Sequence, residues 1–249
     1  MQVLAIYNFK GGVGKTTAAV HLAWLSAEAG LRTLLWDLDS QGAASYLLRV
    51  EPESRVGSRK LVAGERELGE LLRESDQPGL FVVPADLSYR KLDLALAAHK
   101  RPASRLAKLV KPLVTSFDLL VLDCPPTLSL LAESVLALAD RVLVPTLPTP
   151  LSLRALVQLA EHLERRGLEV AEVRAFLSMV DRRKGLHREP AWLARRSPFP
   201  VLDAGIPYAS LLEESAVRRE PVFTFAPKSS AARAYRALWR EVFAGSGGR

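Results

Sequence analysis

Eight consecutive residues, Lys10-Gly11-Gly12-Val13-Gly14-Lys15-Thr16-Thr17, hold the densest chemistry in the chain. Glycines let backbone N–H groups turn inward onto an anion with no Cβ in the way. The stretch lies between an apolar run at 3–7, expected as a buried strand, and an alanine-rich amphipathic run at 16–29, expected as a helix. Strand, glycine loop and helix N-terminus together bind phosphate, and the open helix end adds partial positive charge. In that setting Lys15 reaches the β- and γ-phosphates of a nucleotide, and the Thr16 hydroxyl ligates Mg²⁺. The alternative is a glycine turn that binds nothing; the contiguous motif in its strand–helix context favours phosphate.

Two further acids close apolar runs. Residues 31–37 read as a strand ending in Asp37-Leu38-Asp39-Ser40-Gln41-Gly42. Carboxylates at the carboxyl end of a parallel strand sit where ligands bind in such sheets. Asp39 is placed to hold a Mg²⁺-bound water or to orient an attacking water, and Asp37 to support the same metal shell. Both acids could instead simply cap the turn. Residues 117–123 form the second run, closing on Asp123, which in a P-loop ATPase holds Mg²⁺ through water. Pro125-Pro126 then stiffens the exit. Cys124 has no histidine near it in sequence and reads as a packing residue.

The loop departs from the common P-loop pattern of Gly, four residues, then Gly-Lys-Ser/Thr. Phe9 stands where the first glycine would be, and Lys10 precedes Lys15 by five positions. This form resembles the deviant Walker A loop of the ParA/MinD family of ATPases, and most closely the Soj-like ParA partition ATPases. The resemblance runs from Val3 to about Phe243 and is strongest at 10–17, 37–42 and 123–126. It implies a Mg²⁺-dependent ATPase with weak intrinsic turnover, dimerising around two ATP molecules and binding DNA non-specifically in that state. A ParB-like activator would stimulate it, and the cargo would be a chromosome or plasmid. Lys10, Lys15 and Asp39 would be catalytic, with Lys10 reaching across the dimer to the partner's nucleotide. Residues Lys10, Gly11, Gly12, Val13, Gly14, Lys15, Thr16 and Thr17 would hold ATP, and Thr16, Asp39 and Asp123 the metal. Met179 and Asp181 resemble a strand-end motif beside adenine, and Pro227 lies in a segment resembling the loop that closes over that ring.

The elements that must position these groups alternate. Strands are expected at 80–84, 141–145 and 173–180, and helices at 68–73, 87–98, 103–110, 128–139, 152–166 and 229–243. The polar stretch 49–66 reads as an exposed loop. The fold class is therefore α/β, a mostly parallel, doubly wound sheet flanked by helices, which the resemblance makes a P-loop NTPase of deviant Walker A type. Residues 1–244 are expected as one domain, with 245–249 a disordered tail. A single cysteine rules out an internal disulfide and the paired cluster cysteines of the related iron–sulfur reductases, and fits a cytoplasmic setting. The opening residues have no basic n-region or cleavage site, so no signal peptide is expected.

Charge is uneven. Residues 182–249 hold 13 Lys+Arg against 6 Asp+Glu, whereas 1–181 hold 21 of each. A basic final quarter points to a polyanion. Arg233, Arg236 and Arg240 share one side of the last helix, with Tyr235, Leu238, Trp239 and Val242 opposite. With Arg182, Arg183, Lys184, Arg218, Arg219 and Lys228 they are expected to meet DNA phosphates without reading bases. Tyr208 follows Pro207 where many chromosomal ParA proteins carry an arginine soon after the proline, so a DNA contact is not expected at that position. The alternative is a MinD-like, membrane-associated positioning ATPase that lays this basic amphipathic helix on acidic lipid. Two more classes share the loop: an ATP-clamped binding module, against which Asp39 and Asp123 argue, and a small-molecule amidoligase or kinase.

Overall fold

The computed structural model describes residues 1–52, 57–181, 183–185 and 191–244. Its centre is a seven-stranded sheet. The strands are β1 (Gln2–Ile6), β2 (Thr33–Asp37), β3 (Arg73–Glu74), β4 (Leu80–Val83), β5 (Leu119–Asp123), β6 (Arg141–Thr146) and β7 (Glu172–Leu177), in the order β3-β4-β2-β5-β1-β6-β7. All neighbours pair in parallel except β3, which lies antiparallel on β4. Sheets of this kind are covered on both faces and carry near-continuous apolar strands, as Leu119-Leu120-Val121-Leu122 does here.

Side-chain alternation splits the core in two. Ala5, Trp36 and Leu122 face one cluster; Ile6, Leu35 and Val121 face the other. The helices are α1 (Lys15–Glu28), α2 (Ala43–Leu47), α3 (Ser58–Ala63), α4 (Leu92–Ala97), α5 (Pro102–Val110), α6 (Leu130–Leu138), α7 (Pro150–Arg166), α8 (Ala191–Ala194), α9 (Ser210–Arg218), α10 (Val222–Phe225) and α11 (Ser230–Phe243). The first cluster takes its helical side chains from α3 to α8, the second from α1, α2, α10 and α11. Caps match local chemistry: Ser129, Thr149 and Ser229 side chains accept N-terminal amides of α6, α7 and α11, and Gly167 ends α7 at φ 58°.

The stretch expected as an exposed loop at 49–66 is corrected in part. It contains α3, bounded by Gly57 and Gly64, both at positive φ, and its Leu61 and Val62 are fully buried. Two adjacent apolar residues among charged ones show no period, so the sequence pattern hides them. The helix expected at 68–73 is a 3-10 turn over Leu68–Leu71 followed by β3. The expected tail at 245–249 lies outside the described residues.

Beyond β7 the chain runs alongside that strand as irregular backbone. Leu202 N donates to Ala175 O at 2.8 Å, Ile206 N to Leu177 O at 2.8 Å, and Tyr208 N to Val180 O at 3.0 Å. These bonds cover the sheet edge and bring Pro207 and Tyr208 beside Met179.

Candidate functional site

The carboxyl ends of β1, β2 and β5 converge. Register pairs Asp123 with Ile6 on one side and with Asp37 on the other. The glycine loop leaves β1 at this point. Asn8, almost fully buried, anchors it: its Nδ2 donates to Pro145 O at 2.9 Å, and its Oδ1 accepts from Lys10 N at 2.9 Å. Gly14 caps α1 at φ 88°, and a Cβ there would stand 2.9 Å from Ser178 Oγ, so only glycine fits. A Cβ on Gly11 or Gly12 would meet nothing within 4 Å, so those positions border open space where a ligand can approach the backbone.

Lys15 is buried, and its Nζ donates to Lys10 O at 3.2 Å, folding the ammonium back over the loop. Burial lowers its pKa below the usual lysine value, while Asp123, Cys124 and Asp39 act the other way. Lys10 points to its own α7, donating to Ser152 Oγ at 3.2 Å. The side chains of Thr16 and Thr17 are partly exposed at the mouth, and Val13 is buried beneath it.

Asp123 is completely buried, and neither carboxylate oxygen has a full hydrogen bond. Burial raises its pKa well above the carboxylate range; Asp37 adds to this, and the facing Thr16 hydroxyl and Lys15 oppose it. Asp37 is equally buried but occupied. Its Oδ2 accepts from Ser45 N at 2.9 Å and Ser45 Oγ at 2.7 Å, and Oδ1 from Asp39 N at 3.2 Å. Burial is the main cause that pushes it up to about 6. Its expected place in a metal shell is thus replaced by a structural one: Ser45, which also accepts Ala85 N at 2.9 Å, ties α2 to the end of β2. Asp39 is partly exposed, and its Oδ1 accepts Gln41 N at 3.0 Å, the turn-capping arrangement.

An orphaned, buried carboxylate facing a hydroxyl, beneath a loop of open amides, is a donor set suited to Mg²⁺. The ion favours hard oxygens and draws several of them from phosphates. In keeping with that division, no group of three or more His, Cys, Asp or Glu among the described residues could hold a metal by itself.

A family model described as an AAA domain matches residues 1–171. The chain is 34% identical to the chromosome partitioning protein ParA of Caulobacter vibrioides, over 97% of this chain and 94% of that one. The chain belongs to the ParA family. Among solved structures, cobyrinic acid a,c-diamide synthase from Mycobacterium smegmatis, with bound ATP analog and magnesium, superposes with TM-score 0.83 at 27% identity. That match covers all of this chain and 97% of the synthase. MinD from Pyrococcus horikoshii OT3 complexed with Mg-ADP has the same fold, with TM-score 0.80, 23% identity, and coverage of 100% and 99%.

The ParA-type loop opens sideways into a cleft of about 100 Å³. Gly14, Thr17, Ser178 and Met179 line one wall, and Pro207, Tyr208, Leu212 and Glu213 the other. Met179 therefore lines it, in a left-handed backbone at φ 53°. Asp181 and Pro227 do not. The Asp181 carboxylate accepts from Arg183 Nε at 2.9 Å, which holds its pKa down at about 2. Sequence reasoning passed over Ser178, Leu212 and Glu213 as lining residues, and Asn8, Ser45 and Ser152 as anchors. Their only signal is a small polar or apolar type at a strand or helix end.

The basic residues divide. Arg218 pairs with Glu214 and lies over the Phe225 ring at 4.8 Å; Arg236 pairs with Glu28 and lies over Phe223 at 5.0 Å. Arg219 lies over Tyr46 at 4.5 Å, and Arg183 holds Asp181. Arg233 donates to Lys228 O and keeps an exposed side, and Lys184, Lys228 and Arg240 are exposed. Arg182 lies outside the described residues.

Proposed function

We propose that this chain is a Mg²⁺-dependent ATPase, working as one unit over residues 1–244. It closes as a dimer over two ATP molecules and binds DNA without sequence preference in that state, and a ParB-like partner stimulates its turnover. The observation that carries the reading is the orphaned Asp123 carboxylate facing Thr16 beneath the Lys15 loop. Loop amides and Lys15 hold the β- and γ-phosphates. Thr16 and Asp123 hold Mg²⁺, which when bound neutralises charge on the phosphate oxygens. Asp39, partly exposed two residues beyond β2, orients the attacking water once the Gln41 turn releases it. Met179 and the opposite wall take the base. Lys10 leaves Ser152 on dimerisation to reach the partner's nucleotide. Closing the dimer doubles the exposed cations Lys184, Lys228, Arg233 and Arg240, which raises DNA affinity through multivalency. The place of action is the cytoplasm, on the nucleoid when ATP is bound.

Membrane attachment fits less well. Tyr235, Leu238 and Val242, the apolar side of α11, are already buried against the core that α1 shares. No helix among the described residues is long and apolar enough to cross a membrane. The synthase among the structural relatives names another reaction class, one that would need an acid and an amine donor for ATP turnover.

The test is ATP turnover with Mg²⁺ or EDTA and no other substrate, together with binding of Asp39→Ala protein to random-sequence duplex DNA and to acidic liposomes, with ATP or ADP, across a salt series. ATP-dependent, salt-sensitive DNA binding and Mg²⁺-dependent turnover are expected. Liposome binding alone would replace the DNA role with a membrane one, and turnover only with acid and amine would replace the partition role altogether.

A further inference from the structure

Two arginines just beyond two different helices exchange caps. Arg49 follows α2 and Arg219 follows α9, both in left-handed backbone, at φ 59° and 57°, where glycine is the usual residue. The side chains supply the reason for arginine. Arg49 Nη2 donates to Arg218 O, the last carbonyl of α9, at 3.0 Å. Arg219 Nε donates to Tyr46 O, in the final turn of α2, at 2.9 Å, and its guanidinium stacks on the Tyr46 ring. Each cation thus sits on the negative end of the other residue's helix. Asp76, 3.6 Å from Arg49, steadies the pair.

The two helices lead to different parts of the site. Tyr208 and Ala209, on the approach to α9, and Leu212 and Glu213 in its first turn line the cleft. Helix α2 is capped by Gly42, three residues after Asp39, and its Ser45 is locked to Asp37 and Ala85. The helix is anchored at both ends, and its far anchor is α9.

We infer that Arg49 and Arg219 are positioning residues, a reciprocal clasp that couples occupancy of the base-side cleft to the placement of the segment carrying Asp39. The coupling rests on the nucleotide reading given above; the clasp itself does not. It also gives Arg219 a role distinct from a DNA contact. A phosphate accepts lysine as readily as a point charge, but the fork and ring stacking of Arg219 need guanidinium.

Hydrogen exchange of the full chain decides the matter, using Arg49→Lys, Arg219→Lys and the double variant. Without nucleotide, Arg219→Lys is expected to speed exchange at the end of α2, and Arg49→Lys at the end of α9. Each change is about tenfold, the worth of one charged hydrogen bond, and the double variant shows both changes together. With ADP, the wild type slows exchange in both helices; in Arg219→Lys the slowing persists at 208–213 and is lost at 43–47. For ATP, kcat falls about tenfold while KM moves less than about twofold, the split expected when a group acts only in the transition state. Unchanged exchange in α2 of the nucleotide-free Arg219→Lys protein refutes the clasp. Equal ADP protection of 43–47 in wild type and variant, or a rise in KM with kcat intact, refutes the coupling. If the wild type takes up no ADP, the nucleotide reading and the coupling fall together, and exchange of the nucleotide-free proteins still decides the clasp.

Discussion

Replacing Asp123 by asparagine should make the nucleotide-free protein more stable while disabling it. The carboxylate is fully buried, lacks a full hydrogen bond, and faces Asp37 across a register pair, with Lys15 the cation that acts on it among the described residues. An unsatisfied buried polar group costs about 1–3 kcal/mol, more when charged. The amide keeps the shape and loses the charge, so a gain of about 2 kcal/mol is expected. For a chain of this size that is about 4–8 °C in Tm. The sign with pH follows from the raised pKa. Between the unfolded value near 4 and the higher folded value, the folded state binds more protons, so wild-type stability falls as pH rises through that window. The advantage of Asp123→Asn should therefore be larger at pH 8 than at pH 5. The assay is calorimetric unfolding in EDTA at both pH values, then with Mg-ADP. Magnesium nucleotide should raise the wild-type Tm and hardly move the variant's. A variant that melts below the wild type at pH 8 in EDTA would overturn the idea that this carboxylate is held at a cost for a cation.

Lys15→Ala should abolish nucleotide binding, measured by fluorescence titration with a labelled ADP, whereas Asp39→Ala should keep ATP-dependent dimers in sedimentation and stop turnover; normal hydrolysis in the latter would remove Asp39 from its role. Leu61→Ala should cost about 2–5 kcal/mol by denaturant unfolding, because α3 is core rather than loop; a loss under about 0.5 kcal/mol would contradict that burial. His21 is buried, with Nδ1 donating to Thr17 O at 2.7 Å and Nε2 accepting Val222 N at 3.1 Å, and desolvation lowers its pKa to about 4. Between the unfolded 6.5 and the folded 4 the unfolded chain binds the extra proton, so this residue's contribution is full above 6.5 and is lost as pH falls to 4, by about 3 kcal/mol. Subtracting the stability profile of His21→Gln from the wild-type profile isolates that slope, and parallel profiles would refute it. If about six phosphates are neutralised, DNA affinity should fall by orders of magnitude between low and moderately raised salt, and a flat salt series would argue against a phosphate-led interface.

The parts legible in the sequence are those written locally. Lys10 to Thr17 is contiguous between a strand and a helix, and Asp123 closes a run of four apolar residues, so period and punctuation place both. What escaped depends on partners far along the chain. The second wall of the cleft reaches Met179 only because residues 200–208 lie along β7, a pairing with no alternation to announce it. Asn8 meets Pro145 across 137 residues, and Ser45 meets Ala85 across 40. The arginines show the limit of charge reading. Helical spacing puts Arg236 beside Arg233 and Arg240, but the Phe223 ring and Glu28 that claim it come from α10 and α1. Charge periodicity names a face and not its occupant.

The same convergence that makes the site explains why its neighbours are built as they are. Parallel register places Asp37 and Asp123 side by side at the strand ends, and Asp39 two residues on adds a third acid. Only Lys15 balances them from within the loop. Asp37 is relieved by three hydrogen bonds, two of which also fix α2. Asp123 has no such relief, so a cation brought by phosphates is worth more at this point than at any hydrogen-bonded carboxylate. Ligand binding then stabilises the folded state by the differential it gains over the empty one. On the proposed reading, Asp37 and α2 share that corner, so the gain would fall on the segment that carries Asp39. A site already satisfied when empty would bind the same ligand with less effect on the segment beside it, and a nucleotide-dependent switch needs that effect.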